Sequence, residues 1–221
     1  PVRLLTRASG AFFAEPPDGF TDTPLCTPAP AMMVVRAGQE TLFDEQLAEM
    51  AAVTGSAREI DLAEATRRVP VLKTVPGYAE GITRALIDPA AARLDGHALM
   101  SGYVRGLRQR GGQVCTDADV QAISREAGRW IVQSTAGRHA APVLVNAAGA
   151  WADEVAVRAG VRPLGLTPMR RTIISFDVPA GTDAHGWPLV RSLANEFYFL
   201  PETRHLLASP ADESPSPPCD A

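Results

Sequence analysis

Two groups of residues have the types and spacing to do chemistry. The first is Val143-Leu-Val-Asn-Ala-Ala-Gly-Ala-Trp151. An apolar run, Val143 to Val145, stops at the small residues Ala147, Ala148, Gly149 and Ala150, and an amphipathic segment follows from Trp151 to about Ala159. The run suits a buried strand. The small residues let the backbone approach something closely, and a helix starting there turns its free N–H groups toward it. A flat cofactor or a phosphate fits such a place; a strand-to-helix turn with nothing bound has the same pattern. The second group is Arg171 with Tyr198. An Arg can hold a carboxylate in a two-bond fork, and a Tyr adds a hydroxyl donor and an apolar wall. Arg170 is an alternative to Arg171, and two consecutive arginines in a strand can also simply alternate between solvent and a salt bridge.

The other chemistry-bearing residues show no pattern. Asp88, Glu196 and Asp212 lack the paired spacing of acid/base carboxylates. His97, His139, His185 and His205 stand apart, so neither a triad nor a metal site is expected, and no catalytic side chain is assigned. Cys26, Cys115 and Cys219 are odd in number and form no CxxC pair, which points to free thiols and a reducing cytoplasm.

The elements that must position these groups belong to an ordinary globular chain. It has 221 residues, 46% hydrophobic and 21% charged, with net charge −4. Its arginines are scattered, which argues against nucleic acid as a partner. No apolar run approaches the roughly 18–20 residues that span a bilayer. Oligomeric state is not encoded in any pattern.

Residues 1 to about 15 read as a helix with Leu4, Leu5, Ala8 and Phe12 on one face. Met32 to Val35 is a strand. Thr41 is positioned to cap a helix reaching about Val53, and Asp61 a short helix with Glu64 at the capping-box position. Ala79 to Leu86 is extended. Leu94 to Arg110 is the strongest helix, stopped by Gly111-Gly112. Strands follow at Gln113–Thr116, Val120–Arg125, Trp130–Thr135 and His139–Val145, with turns at Ala127-Gly128 and Ala136-Gly137. Beyond Gly160, residues Arg170–Phe176, Phe197–Leu200 and Leu206–Ser209 read as antiparallel strands of a second sheet. Pro179–Trp187 is a loop, and residues 210 to 221 form a loop or a disordered end.

Several ordered segments resemble the FAD-dependent amino-acid oxidoreductases, the D-amino-acid oxidase/glycine oxidase superfamily. They are Asn146-Ala-Ala-Gly-Ala-Trp-Ala-Asp153, Gly160-Val-Arg-Pro-Leu-Gly-Leu-Thr-Pro-Met-Arg-Arg171, Glu196-Phe-Tyr-Phe-Leu-Pro201 and Ser209-Pro-Ala-Asp212, with Leu5-Thr-Arg-Ala-Ser9, Gly19-Phe20 and Pro24-Leu25 upstream. The bacterial D-arginine dehydrogenase-like branch is the nearest in look. The resemblance implies a mixed α/β fold: part of an FAD-binding Rossmann-like domain over residues 90–160, interleaved with an antiparallel-sheet substrate domain over 1–89 and 161–221. It implies FAD as cofactor, contacted by Ala147, Ala148, Gly149 and Trp151 and by the backbone of Val120, and a small amino-acid substrate held by Arg171 and Tyr198. The implied activity is hydride transfer from a D-amino acid or secondary amine to flavin. A cofactor-free relative acting as a binding module is the alternative. Family members carry a GxGxxG turn that this sequence lacks, so the chain is expected to be the middle of a longer protein and inactive by itself. Branch members that take basic substrates can place an acidic residue where this chain has Ala31, which turns the expectation away from D-arginine.

Overall fold

Four consecutive apolar residues, Met32 to Val35, are all buried. In a strand that requires cover on both faces. They form β2 (Ala31–Arg36) near the middle of a seven-stranded sheet. The computed structural model describes residues 2–73, 81–202 and 204–219; the expected extended start at Ala79 lies outside the described residues.

On one side β2 pairs with β4 (Ile82–Asp88), which pairs with β3 (Arg58–Ile60). On the other it pairs with β11 (Leu189–Ser192), followed by β12 (Tyr198–Pro201), β13 (His205–Ser209) and β10 (Ile174–Asp177). Every pair is antiparallel except β2 with β11, so the sheet is mixed. The β11 strand is not anticipated in the sequence, because Pro188-Leu-Val-Arg-Ser192 is too short to show a period.

Each face carries its own core. Met32, Val34, Ala85, Ile87 and Val190 pack with Ala65 of α3 (Leu62–Arg68), Val69 just beyond its end, Leu72 and Trp187. On the opposite face Met33, Val35, Leu86 and Leu193 pack against Phe43 of α2 (Glu40–Thr54). Full burial of such side chains contributes about 1.5–3 kcal/mol each. Arg84 of β4 binds this second face together: it forks onto Glu59 at 2.7 and 2.9 Å, reaches Asp44 at 3.0 Å and lies 4.0 Å over the Phe43 ring.

The caps follow local chemistry, with one correction. Asp61 caps α3 as expected, accepting from the Glu64 N–H at 2.6 Å. Thr41 does not cap α2. The N-cap is Gln39, without a side-chain cap bond, and Glu40 accepts from the Gly38 N–H instead. The strongest expected helix is α4 (Gly96–Gln109). Asp95 accepts from the Ala98 N–H, and Gly111 and Gly112 close its end onto Arg108 and Leu107. Leu94 ends β5 (Ala92–Leu94) instead, paired with β1 (Cys26–Pro28). Helix α1 (Val2–Ala14) meets α4 through Phe12, Phe20 and Tyr103, with ring centroids 5.0–6.0 Å apart, while Leu4 and Leu5 are exposed.

The chain divides into two compact units, residues 1–103 with 171–212 and residues 104–170 with 213–221. The second holds the meander β6 (Val120–Glu126), β7 (Arg129–Ser134) and β8 (Gly137–Ala141). Three expectations fail here. Gln113–Thr116 forms no strand. β8 ends at Ala141, and Val143 to Val145 is unpaired, with Val143 and Val145 69% and 77% exposed. An apolar run becomes a strand only where neighbours accept its hydrogen bonds, and among the described residues none does. The strand expected from Arg170 to Phe176 is two, β9 (Met169–Arg170), paired with β14 (Ser214–Pro215), and β10.

Two tests follow from this packing. The Glu64 carboxyl sits at about 2, held down by the guanidinium groups of Arg58 and then Arg68. A depressed carboxyl stabilises the fold above its unfolded value and loses that contribution as pH falls through its folded one. The difference in urea midpoint between wild type and Glu64→Gln is therefore expected to shrink from its value above pH 4.5 toward zero near pH 2. A Cβ on Gly102 would lie 2.4 Å from the Phe20 ring and 2.7 Å from the Phe20 carbonyl. Gly102→Ala is expected to destabilise by about 1–3 kcal/mol through overpacking, measured by chemical denaturation.

Candidate functional site

The small-residue segment folds as an open turn. Asn146 organises it from within: its Oδ1 accepts from the Ala148 N–H at 3.3 Å and its Nδ2 donates to the Ala152 carbonyl at 2.8 Å. A 3-10 turn, Gly149–Trp151, then leads into α5 (Ala152–Arg158), with the Trp151 N–H donating to the Ala148 carbonyl. Gly149 has φ +55, a left-handed conformation that suits glycine, and nothing lies within 4 Å of the place a Cβ would occupy. Ala147 and Gly149 are exposed and Ala148 is half-buried. Trp151 is half-buried as well.

Two residues that the sequence analysis passed over hold this turn in place. The Asp153 carboxylate accepts three backbone N–H bonds, from Leu164 at 2.9 Å and from Gly165 and Leu166 at 2.8 Å. The Leu164 N–H, with those of Leu166 and Gly165, keeps its carboxyl below the ordinary range. Arg158, near the end of α5, donates to the Val120 carbonyl at the start of β6. That bond links the turn's helix to the strand position expected to meet the adenine end of a cofactor. Asn146 and Asp153 sit in the Asn-x6-Asp spacing visible in the sequence. Their roles as backbone acceptors follow from where the chain returns at residues 164–166, which the spacing does not reveal.

Ala147, Ala148, Gly149, Trp151 and Val120 all belong to the second compact unit; Arg171 and Tyr198 belong to the first. The two arginines weighed for the substrate are separated by the unit boundary. Arg170 is in β9, whereas Arg171 precedes β10 and is exposed. Its neighbour Thr172 is clamped to Asp212, with N–H to Oδ1 at 2.7 Å and Oγ1 to Oδ2 at 2.9 Å. That gives Asp212, isolated in sequence, a structural partner. Tyr198 opens β12, half-buried, opposite Arg191 of β11 and Ser209 of β13. Asp88 is buried and accepts from the Ser56 hydroxyl at 2.6 Å and the Ala90 N–H at 3.0 Å, a turn-stabilising arrangement. Among the described residues no group of three or more His, Cys, Asp or Glu is placed to hold a metal, and no helix is long and apolar enough to cross a membrane.

Comparison with known proteins decides the family. The model of the FAD dependent oxidoreductase family (DAO) matches residues 19–220. The chain belongs to this family. Solved members share its fold. Glycine oxidase from Geobacillus kaustophilus aligns with 96% of the chain and 55% of its own length, with TM-score 0.74 and 19% identity. L-proline dehydrogenase from P. horikoshii aligns with 99% and 57%, with TM-score 0.70 and 16% identity. Mitochondrial dimethylglycine dehydrogenase of Homo sapiens is 27% identical over 132 residues, 58% of this chain and 15% of that protein. The chain therefore spans a little over half the length of these solved relatives and a small part of the curated one.

The open turn generates two expectations. Asp153→Ala is expected to speed hydrogen exchange at the amides of Leu164, Gly165 and Leu166 while leaving β6 and β7 protected. Gly149→Val forces a branched side chain into left-handed backbone and is expected to destabilise by about 1–3 kcal/mol, read by denaturant titration.

Proposed function

We propose that the protein of which this chain is part is an FAD-dependent oxidoreductase of an α-amino acid, either a D-amino acid or an N-alkyl amino acid. The observation that carries the reading is the family match across residues 19–220. The open space at Gly149 is compatible with it, because a side chain there would occupy volume that a cofactor needs. Ala147, Ala148, Gly149 and Trp151 would hold FAD along this turn, and the backbone of Val120 would meet its adenine end. When bound, FAD supplies the acceptor for the hydride removed from the substrate's α-carbon.

The chain's own residues do the binding and orientation. Arg171 would take the substrate carboxylate in a fork, and the Tyr198 hydroxyl would donate a further hydrogen bond. No general base is required of the protein, since the amine only has to be neutral when hydride leaves; the oxidised product is an imine that water hydrolyses. Ala31 offers no charge for a cationic side chain, which turns the proposal away from D-arginine. Dimethylglycine dehydrogenase among the relatives supports an N-alkyl substrate class. We also place the protein in a reducing compartment, the cytoplasm, which its free cysteines support.

The test is anaerobic mixing of the full-length, FAD-loaded protein with D-, L- and N-methyl amino acids. The visible flavin band is expected to bleach with at least one of them; bleaching by none ends the reading. Arg171→Met is expected to raise KM by roughly 10–100-fold through loss of a charge-assisted pair, with a smaller effect on kcat.

A further inference from the structure

Arg191 is the one described residue with a buried side-chain nitrogen or oxygen that lacks a hydrogen-bond partner: its Nε–H is enclosed and meets no acceptor. Such a donor is unfavourable unless something else supplies the acceptor. The side chain lines a cavity of about 510 Å³ whose walls include Met33 and Leu86 of the sheet and Met50 and Val53 of α2. Glu49, on the α2 wall, accepts from Gln46 Nε2 at 3.3 Å and leaves Arg191 Nε unsatisfied. A cavity that sets a partnerless guanidinium N–H among Met33, Met50, Val53 and Leu86, with Gln46 and Glu49 on its α2 wall, suits an anionic group carried on a short apolar chain.

Register sets Arg191 beside Tyr198, one of the two residues proposed for the substrate. Arg191 lies directly opposite Met33 on β2 and opposite Tyr198 on β12. Directly opposed residues share a face, with Cβ atoms about 4.5–5.5 Å apart. The guanidinium and the phenol therefore arise from adjacent points on the α2 side of the sheet. Ala31, which lines the same cavity, adds no charge of its own.

We infer that Arg191 is a specificity-determining residue that receives a second carboxylate of the substrate, so that the preferred amine is an acidic amino acid of the glutamate or aspartate type. The inference rests on the reading above, in which Arg171 and Tyr198 hold the amino-acid head. The distal carboxylate accepts from the Arg191 guanidinium where it lines the cavity, while the methylenes lie along Met33 and Leu86.

Two measurements test it. In the 221-residue chain, the Arg191 Nε–Hε resonance is followed by ¹⁵N NMR during titration with glutarate, D-glutamate and D-leucine. A saturable shift with the first two and none with D-leucine is expected. No shift, or an equal shift with D-leucine, overturns the inference without needing any variant to fold. In the full-length, FAD-loaded protein, Arg191→Met is expected to raise KM for the acidic substrate by roughly 10–100-fold, as loss of a charged hydrogen bond does, and to leave neutral amino acids within about twofold. Arg191→Lys, which keeps the charge but not the fork, falls between. If neutral amines reduce the flavin as well as acidic ones and Arg191→Met changes neither, the inference fails while the amine-oxidoreductase reading stands. If no amine reduces it, that reading fails and the substrate assignment falls with it.

Discussion

The parallel pairing of β2 with β11 is the constraint on which the rest of the first unit depends. It joins residues 31–34 to residues 189–192 across a long stretch of intervening chain. Hydrogen bonds from the Leu189 N–H to the Pro30 carbonyl and from the Leu193 N–H to the Val34 carbonyl extend the match at both ends. Because a strand's side chains alternate, a slip of one residue would drive Arg191 into the core around Trp187 and turn Val190 toward α2. Burial of Val190 on one face and Leu193 on the other resists that slip. The same register sets Tyr198 beside Arg191, so the polar residues inherit their positions from apolar packing.

Much of the fold was legible in the sequence where its cause is local. The β2 strand announces itself as four apolar residues, α3 by Asp61, α4 by its period and the Gly111-Gly112 stop, and the β6–β7 hairpin by Ala127-Gly128, both with positive φ. What was not legible depends on distant partners. Val143 to Val145 has the composition of a buried strand, yet composition cannot say whether strands stand ready on either side. β11 is too short to show a period and is defined by β2 and β12. The break between β9 and β10 is set by Asp212, forty residues beyond Thr172.

The candidate site divides along the same line. Small residues around Gly149 were readable because their lack of side chains is itself the signal. The scaffolding was not: Asp153 acts on residues 164–166, and Arg158 acts on Val120. In both cases a charged side chain satisfies backbone groups that the turn would otherwise leave to solvent. Arg191 was invisible for the opposite reason, since its interest lies in a bond not made.

The division into two units, with one inserted in the other, has a consequence for how the polypeptide is made. Residues 104–170 form the continuous bulk of the second unit and can collapse as soon as they leave the ribosome. The β1–β5 half of the first unit emerges earlier, but β2 has no parallel neighbour until residue 192 has been synthesised. During that interval a strand rich in Met and Val presents an open edge, the kind of template that recruits other nascent chains. Translation speed through the inserted segment, and any chaperone that shields the waiting edge, would therefore govern the yield of correctly closed molecules.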